Sequence, residues 1–287
     1  MAMPRCEGGR IMYWWFLIMV MLCSLVLGCQ CAAFNDFFYP SWALDHVMSQ
    51  GELLQLKLDP TSGAGFASKN TYMFGKANVQ MKLVPGDSAG TVTAFYMSSQ
   101  GDQHDEFDYE FLGNTSGEPY VVQTNVYSNG VGNREQRIFL WFDPTADFHT
   151  YSFLWNRQQA VFFVDDVPIR VFPNNEKRGV PYPQTRPMGI FSSIWNADNW
   201  ATQGGRVKTD WSHSPFISTY KNFNIDACRD SGPQSLMRRC SLWWDQPVYS
   251  SLNAKQSMQL KWVHEKYMIY DYCKDSARFP TPPAECA

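Results

Sequence analysis

The sequence predicts an all-β fold in which two antiparallel sheets pack as a sandwich or jelly roll. Beyond residue 33 the chain is a succession of short segments rich in Val, Ile, Thr, Tyr and Phe. Gly, Pro, Asn and Asp separate these segments, as turns between strands require. Many segments alternate apolar and polar residues, which is typical of antiparallel strands with one buried face. Since so many strands are accompanied by almost no helix, a two-sheet β architecture is indicated.

Ten segments are predicted to form strands, and two of them are predicted to pair as a hairpin. Asp165-Asp166 lies between two apolar runs and predicts the tight turn of that hairpin. In chain order, the predicted strands are 53–58, 91–97, 105–111, 120–127, 137–142, 151–155, 161–164, 169–172, 188–195 and 217–225.

The first 33 residues predict a secretory signal peptide that is removed from the mature protein. Arg5 and Arg10 supply a positive start, residues 11–27 form an apolar run, and small residues end the run at Cys31-Ala32-Ala33. A membrane anchor is the alternative, because the run is near the lower length limit of a spanning helix. The polar sequence that follows favours cleavage. We therefore expect a secreted protein that has no membrane segment after cleavage.

Residues 34–226 are predicted to form the β-sandwich, and residues 227–287 a short extension packed on it. The extension has one predicted helix at 257–267 and a Pro-rich end. An even number of cysteines in an exported chain predicts disulfides, and four cysteines allow three pairings. We expect the local pairs Cys228–Cys240 and Cys273–Cys286, each closing a short loop worth about 3 kcal/mol in the chain-entropy model. Zinc-type Cys-x-x-Cys spacing is absent, so no metal is expected. The four cysteines are Cys228, Cys240, Cys273 and Cys286.

The composition argues against nucleic acid and favours a carbohydrate ligand. The formal net charge is −3, and no basic stripe interrupts this mild acidity. Aromatic residues make up 16% of the chain, including 11 Trp. Core packing is the default role of any single aromatic residue. In a secreted protein, however, a surplus of Trp and Tyr indicates side chains that stack on sugar rings.

The segment HDEFDYEFLGN at 104–114 is the strongest functional signal in the chain. In a strand alternate side chains share a face, so Glu106, Asp108 and Glu110 point to one side and the aromatic residues between them to the core. Three neighbouring acids repel one another, which indicates a functional reason for their presence. Retaining glycosidases use two carboxyl groups at the scissile bond. A third carboxyl group could raise a neighbour's pKa or donate a hydrogen bond to the nucleophile.

Three alternatives compete with glycosidic cleavage. The strand could present an exposed acidic face, or Asp102, Asp105 and Asp108 could form a calcium site. The segment 106–109 is also similar to the metal-holding strand of legume lectins, which are non-catalytic sugar binders with a two-sheet architecture. Against a lectin, Glu110 adds a third acid to the face, and the expected run of further ligands does not follow.

The runs HDEFDYEFLGNTSG and QTNVYSNGVGNREQRIFLWFDPT resemble the xyloglucan endotransglucosylase/hydrolases, a plant cell-wall branch of the family-sixteen glycoside hydrolases. The resemblance covers essentially the whole mature chain, and it continues in SSIWNADNWATQGG at 192–205, WWD at 243–245 and YDYCKDSARFP at 270–280. It implies a concanavalin-like β-jelly roll with a C-terminal extension specific to this branch. It also implies secretion to the cell wall and apoplast, with xyloglucan chains as donor and acceptor. We expect a monomer that needs no cofactor.

By the same resemblance Glu106 is the nucleophile, Glu110 the general acid/base and Asp108 a helper. Asn114 opens the sequon at which the family carries an N-glycan. Trp195 and Tyr270 are implied as stacking platforms, although core packing is the alternative for the tryptophans. The other substrate contacts implied by the family pattern are Gln123, Asn125, Asn133, Arg134, Glu135, Trp200, Ala201, Gly205 and Arg278.

Two departures from the family pattern bear on the site. Phe107 and Tyr109 replace the aliphatic and Phe residues that the family has between the acids, and the hydroxyl of Tyr109 then needs a partner in the core. Asn133 lies where the family usually has Asp.

Hydrolytic relatives have a longer loop beside the acceptor groove, and no obvious insertion separates Trp195 from Trp211. We therefore expect transfer rather than hydrolysis, with xyloglucan hydrolysis or another β-glucanase activity as the alternative.

Overall fold

The computed structural model describes residues 34–230 and 242–286. The predicted signal peptide and Cys240 lie outside the described residues. Within these two ranges, no helix is both long and apolar enough to cross a membrane.

The described residues form fifteen strands and two α-helices. Helix α1 is Phe34–Phe37, and helix α2 is Ala254–Lys266. In chain order the strands are β1 (Phe38–Trp42), β2 (Val47–Gln50), β3 (Leu53–Leu58), β4 (Ala64–Ser68), β5 (Tyr72–Lys82), β6 (Thr91–Ser98), β7 (Glu106–Leu112), β8 (Val121–Tyr127), β9 (Gln136–Phe139), β10 (His149–Trp155), β11 (Gln159–Val164), β12 (Val167–Pro173), β13 (Gly189–Asn196), β14 (Phe216–Arg229) and β15 (Met268–Asp271).

Two antiparallel sheets pack face to face, which confirms the predicted fold class. One sheet has eight strands in the order β1-β4-β13-β6-β7-β8-β9-β15. The other has seven strands in the order β12-β11-β10-β5-β14-β3-β2. All ten predicted strands are present, and Asp165 and Asp166 form the predicted hairpin turn between β11 and β12 with φ of 48° and 60°.

Five strands were not predicted: β1, β2, β4, β5 and β15. Strand β4 has the sequence AGFAS and is almost entirely buried, so no polar residues alternate along it. Strand β5 contains Gly75, whose φ is 127°. A Cβ atom at Gly75 would lie 2.4 Å from the Cα of Ala227 on β14. Glycine is therefore needed where these strands approach most closely, and it obscures the strand pattern in the sequence.

The core between the sheets contains the aromatic face of β7. Phe107, Tyr109 and Phe111 are fully buried there, as the alternation predicts. The hydroxyl group of Tyr109 lies 2.9 Å from the carbonyl oxygen of Ser152 and 3.0 Å from that of Phe163, both on the opposite sheet. The expected partner for this hydroxyl is therefore present. Its hydrogen bond links the strand that carries the acids to the second sheet.

The C-terminal extension completes the eight-stranded sheet. Strand β15 pairs with β9 and forms the last strand of that sheet. Helix α2 begins three residues before the prediction, because Asn253 caps it: its side chain accepts from the N–H of Gln256, whose side chain reaches back. The predicted disulfide Cys273–Cys286 is confirmed. The second predicted pair includes Cys240, which is not among the described residues.

Candidate active site

The three acids of β7 line a groove on the outer face of the eight-stranded sheet. Strand β7 lies between β6 and β8, and its side chains alternate between groove and core. Glu106, Asp108 and Glu110 therefore share the groove face, as predicted. They line a cavity of about 380 Å³ together with Trp42, Ala94, Tyr96, Asn125, Tyr127, Ser193 and Trp195.

Asp108, the central acid, lies in surroundings that favour its protonated form. It is 6% exposed, and burial raises its pKa well above the usual range. The negative charges of Glu110 and Glu106 raise it further. Arg170 lies buried behind the strand and opposes this rise, while its Nη1 donates to the carbonyl oxygen of Thr124 at 2.8 Å. A protonated carboxyl group at this position can donate a hydrogen bond.

Glu106 is the neighbouring acid that can accept such a hydrogen bond. Burial raises the pKa of Glu106, and hydrogen bonds to Ser98 and Asp108 oppose the rise by favouring the carboxylate. The Nε2 atom of His104 lies 4.0 Å from its Oε2 atom. Among the three acids, Glu106 therefore has the surroundings that best suit an ionised nucleophile.

Glu110 has the surroundings of an acid. Burial raises its pKa above the usual value, and the charge of Glu106 adds to the rise. The Nε2 atom of Gln123 donates to Oε2 of Glu110 at 2.5 Å. This amide is oriented by Arg137, whose Nε donates to its Oε1 at 2.6 Å. A carboxyl group that stays protonated above its ordinary pKa can protonate a leaving group.

A polar cluster at the β15 edge extends the groove. Arg278 donates from Nη1 to Oε2 of Glu135 at 2.6 Å and from Nη2 to Oδ1 of Asn133 at 2.7 Å. Asn133, which replaces the usual Asp, therefore still accepts a hydrogen bond. The hydroxyl group of Tyr270 donates to Asp275 at 2.9 Å. Four of these residues line a second cavity of about 490 Å³, namely Glu135, Tyr270, Asp275 and Arg278. This cavity shares Glu110, Asn125 and Tyr127 with the first and is also lined by Gln123, Arg137 and Trp200.

Trp195 and Trp200 stand at the groove on a small apolar cluster formed by Val92, Leu112, Ala197 and Ala201. Ala201 is 6% exposed and belongs to this cluster. Gly205 has a φ of 82°, and a Cβ atom there would lie 2.4 Å from the carbonyl oxygen of Asn199. In this structure Ala201 and Gly205 therefore shape the loop that carries Trp200.

Arg134 is buried, and its guanidinium group contacts the protein. Its Nη1 donates to the carbonyl oxygen of Val131 and its Nε to Glu285, each at 2.5 Å. The backbone N–H of Arg134 donates to Oδ1 of Asn125 at 3.0 Å. Asn125 lies opposite Asp108 on the neighbouring strand. The hydrogen bond from Arg134 therefore fixes the side chain of a residue that lines the groove.

Two other positions lie apart from the acids. Asn114 follows β7, and its amide donates to the carbonyl oxygen of Pro119 at 3.1 Å. Asp105 precedes β7 on the opposite face from Asp108, and its carboxylate accepts from the N–H of Asn129 at 2.9 Å. In the parts of the chain that the structure describes, no group of three or more His, Cys, Asp and Glu is arranged to hold a metal ion. The calcium alternative is therefore unsupported.

Several groove residues were missed from the sequence. Tyr127 could have been found, since it lies two residues after Asn125 and shares its face. The positions of Arg137 and Tyr96 in the groove follow from the pairing register, which sets Arg137 opposite Gln123 and Tyr96 opposite Asp108. The sequence does not show this register. Trp42 depends on an unpredicted strand, β1.

The chain matches two family models. Residues 34–213 match the glycosyl hydrolases family 16, and residues 239–286 match the xyloglucan endo-transglycosylase (XET) C-terminus. Among curated proteins, xyloglucan endotransglucosylase protein 6 of Diospyros kaki is 62% identical over 262 residues, which cover 88% of each chain. Xyloglucan endotransglucosylase/hydrolase protein 9 of Arabidopsis thaliana is 57% identical over 274 residues, which cover 94% of each.

Solved structures share the fold. A prokaryotic β-1,3-1,4-glucanase (lichenase) from a mouse hindgut metagenome superposes with a TM-score of 0.53 and 26% identity, covering 67% of this chain and 87% of the other. The Crh5 transglycosylase in complex with NAG has a TM-score of 0.57 and 25% identity, covering 71% and 82%. With its three acids in the groove of such a sandwich, the chain belongs to the glycosyl hydrolases of family 16.

Proposed function

We propose that this protein is a retaining transglycosylase that cleaves the β-1,4-glucan backbone of xyloglucan and joins the cleaved chain to a second xyloglucan chain. The observation that carries the proposal is the trio on β7, in which the buried Asp108 lies between Glu106 and Glu110 on the floor of one groove. Membership of family 16 and the names of the plant relatives, which share 57% and 62% identity, supply the substrate.

In the first step the carboxylate of Glu106 attacks the anomeric carbon of a backbone glucosyl residue. A glycosyl ester forms as the glycosidic bond breaks, and the leaving oxygen takes the proton of Glu110. Asp108 donates its hydrogen bond to Glu106 and keeps that carboxylate oriented. In the second step an acceptor hydroxyl oxygen attacks the same carbon and gives its proton to Glu110. The ester bond breaks, and Glu106 is regenerated.

Transfer requires that an acceptor sugar occupies the site before water reacts with the ester. The half of the groove beyond Glu110 offers Trp200 and Arg278 for that purpose. The loop that carries Trp200 is held in place by Thr202, whose Oγ1 accepts from the N–H of Gly90 and donates to the carbonyl oxygen of Gly113, each at 2.7 Å. A fixed acceptor side favours transfer. Xyloglucan hydrolysis is the alternative.

The same proposal places the protein outside the cell, in the plant cell wall and apoplast. The apolar run near the N-terminus and its small-residue exit support secretion. The relatives named above are from the plants Diospyros kaki and Arabidopsis thaliana. Xyloglucan donor and acceptor chains are the proposed partners, and the active form is proposed to be a monomer that is N-glycosylated at Asn114.

A labelled xyloglucan oligosaccharide incubated with unlabelled polymer and enzyme tests the activity. We expect the label to enter the polymer. New reducing ends without incorporation would mean hydrolysis. The absence of both signals would contradict the proposal. Glu106→Gln should lower the rate at least 100-fold, because it removes the nucleophile. Glu118→Gln, at an exposed acid away from the groove, is the matched control.

A further inference from the structure

One row of cross-strand neighbours crosses all eight strands on the groove face. Directly opposed residues of antiparallel strands share a face, so the row forms one continuous floor. Seven spacings of roughly 4.8 Å make this floor about 34 Å long. From the β15 edge to the β1 edge, the row consists of Tyr270, Arg137, Gln123, Glu110, Ala94, Ser193, Gly65 and Trp42.

The two halves of the row differ in chemistry. From Glu110 towards β15, the side chains are an amide, a guanidinium and a phenol, and all can hydrogen-bond to a sugar. From Glu110 towards β1, the floor has only small residues before the indole ring of Trp42. A flat floor that ends in an exposed aromatic ring suits the apolar face of a pyranose ring.

A β-bulge turns Trp42 into the groove. Pro40 of β1 lies opposite Phe66, a core residue, whereas Trp42 lies opposite Gly65 on the groove face. Ser41 is the extra residue between these two pairs. Without it, strict alternation would put Trp42 on the core side with Pro40. Bulges commonly re-aim a side chain beside a functional site in this way.

Two glycines make room for the ring. A Cβ atom at Gly65 would lie 2.3 Å from Nε1 of Trp42, and one at Gly63 would lie 3.1 Å from its Cη2. The indole therefore rests close against the bare backbone of β4. Trp42 is nevertheless 41% exposed and lines the same cavity as the three acids. Part of the ring is therefore accessible from the groove.

We infer that Trp42 is a binding platform for the donor chain, stacking on a β-1,4-linked glucosyl ring on the far side of the cleaved bond from Arg278. This inference rests on the proposed function, because the β15 half of the groove is there assigned to the acceptor. The sugar at Trp42 belongs to the part of the donor that stays bound to Glu106 while the leaving chain departs. Trp42 therefore sets how strongly a long donor is held, without taking part in the bond exchange.

The test separates donor from acceptor kinetics. Trp42→Ala should raise the KM for polymeric donor about 2- to 12-fold, the range for an aromatic packing interaction. The KM for an oligosaccharide acceptor and the kcat should stay unchanged. Gly65→Ala should raise the donor KM too, because its methyl group pushes the ring aside. Leu44→Ala is the control, since Leu44 is 71% exposed near the same edge but does not line the cavity.

An unchanged donor KM in a folded Trp42→Ala protein would overturn the inference, as would equal rises in donor and acceptor KM. Should Trp42→Ala fail to fold, Gly65→Ala decides by the same criterion. A binding measurement separates the inference from the proposed function. In a Glu106→Gln background, calorimetric titration with xyloglucan fragments should show weaker binding once Trp42 is replaced. If wild-type enzyme does not act on xyloglucan, the proposed function fails. If it does and binding is unchanged, only the role of Trp42 fails.

Discussion

At the scale of single residues, burial separates three chemically similar acids into different roles. Asp108 is the most buried of the three and lies between two other carboxyl groups, so its ionisation is the most costly. Glu106 and Glu110 are partly exposed, and each has its own hydrogen-bond partner, Ser98 and Gln123 respectively. The strand supplies three acids, and their surroundings decide which one has its pKa raised most.

Replacing Asp108 by Asn should increase stability at neutral pH. The pKa of Asp108 is raised in the folded protein, so only the unfolded chain ionises as pH rises above its unfolded value of about 3.9. That ionisation favours unfolding, and Asn removes it. The gain should shrink as pH falls towards 4 and vanish below it. Urea unfolding at several pH values measures the difference; a variant less stable than wild type at pH 7 would contradict it.

The same position should affect activity. Asp108→Ala should lower kcat about 10- to 100-fold, because a hydrogen bond to the charged Glu106 is lost. Asp108→Asn should retain more activity than Asp108→Ala, since an amide still donates. Steady-state transfer rates of the two variants provide the comparison, and equal losses would argue against a hydrogen-bonding role.

Gln123 should set the upper limit of the pH–rate profile. Its hydrogen bond lowers the pKa of Glu110 from the value that burial alone would give. Gln123→Leu removes this bond, so the pKa of Glu110 should rise and the basic limb of kcat/KM should move to higher pH. A pH profile of the variant beside wild type measures the shift, and a basic limb that moves to lower pH would show the reverse effect.

At the scale of elements, the C-terminal extension supports the groove as well as completing the sheet. Strand β15 brings Tyr270 to the end of the groove floor. The last described residues are tied back by Cys273–Cys286, and Glu285 pairs with Arg134. Since the backbone of Arg134 holds Asn125 beside Asp108, the tail is connected to the acids through a short series of hydrogen bonds.

Breaking that disulfide should destabilise the protein. The bridge joins residues 13 apart, for which the chain-entropy model gives about 3 kcal/mol. Cys286→Ser and Cys273→Ser should each lower the free energy of unfolding by about that amount. The double variant should lose no more than either single variant, because both remove one bond. Urea unfolding decides, and additive losses would mean that the cysteines act separately.

At the scale of the whole molecule, the proposed function assigns the donor and the acceptor to opposite edges of the eight-stranded sheet. Trp42 lies at the β1 edge, Arg278 is beside the β15 edge, and the acids lie between them. The KM for a polymeric donor should therefore depend on residues at the β1 edge, and the KM for an oligosaccharide acceptor on residues at the β15 edge.

Arg278→Ala should raise the acceptor KM about tenfold or more, because a charged donor of hydrogen bonds is lost from the acceptor side. The donor KM should change little, which is the opposite of the result expected for Trp42→Ala. Transfer kinetics at varied acceptor concentration measure the effect. Lys274→Ala, a nearby cation outside the second cavity, is the control; an equal change in that variant would point to general electrostatics.

Local patterns predicted the fold class and the strand that carries the three acids. The alternation of Glu106, Asp108 and Glu110 with aromatic residues depends only on a side-chain period of two, so it is visible in the sequence. Strand β4 was missed because burial on both faces replaces that alternation with small residues. Strand β5 was missed although residues 76–82 alternate, because Gly75, which is needed where β5 meets β14, resembles a break in the sequence. The burial of Arg134 was also not visible, since it depends on a tail about 150 residues further along.

The sequence by itself determined that three acids share one face of a strand, that an aromatic core lies behind them, and that the chain resembles family 16. The tertiary structure alone decided which distant residues join those acids in one row. Pairing register is set between segments far apart in the chain, and one bulged residue, Ser41, reverses the face on which Trp42 emerges. For that reason the acids could be found from eleven consecutive residues, whereas the two ends of the groove required the folded sheet.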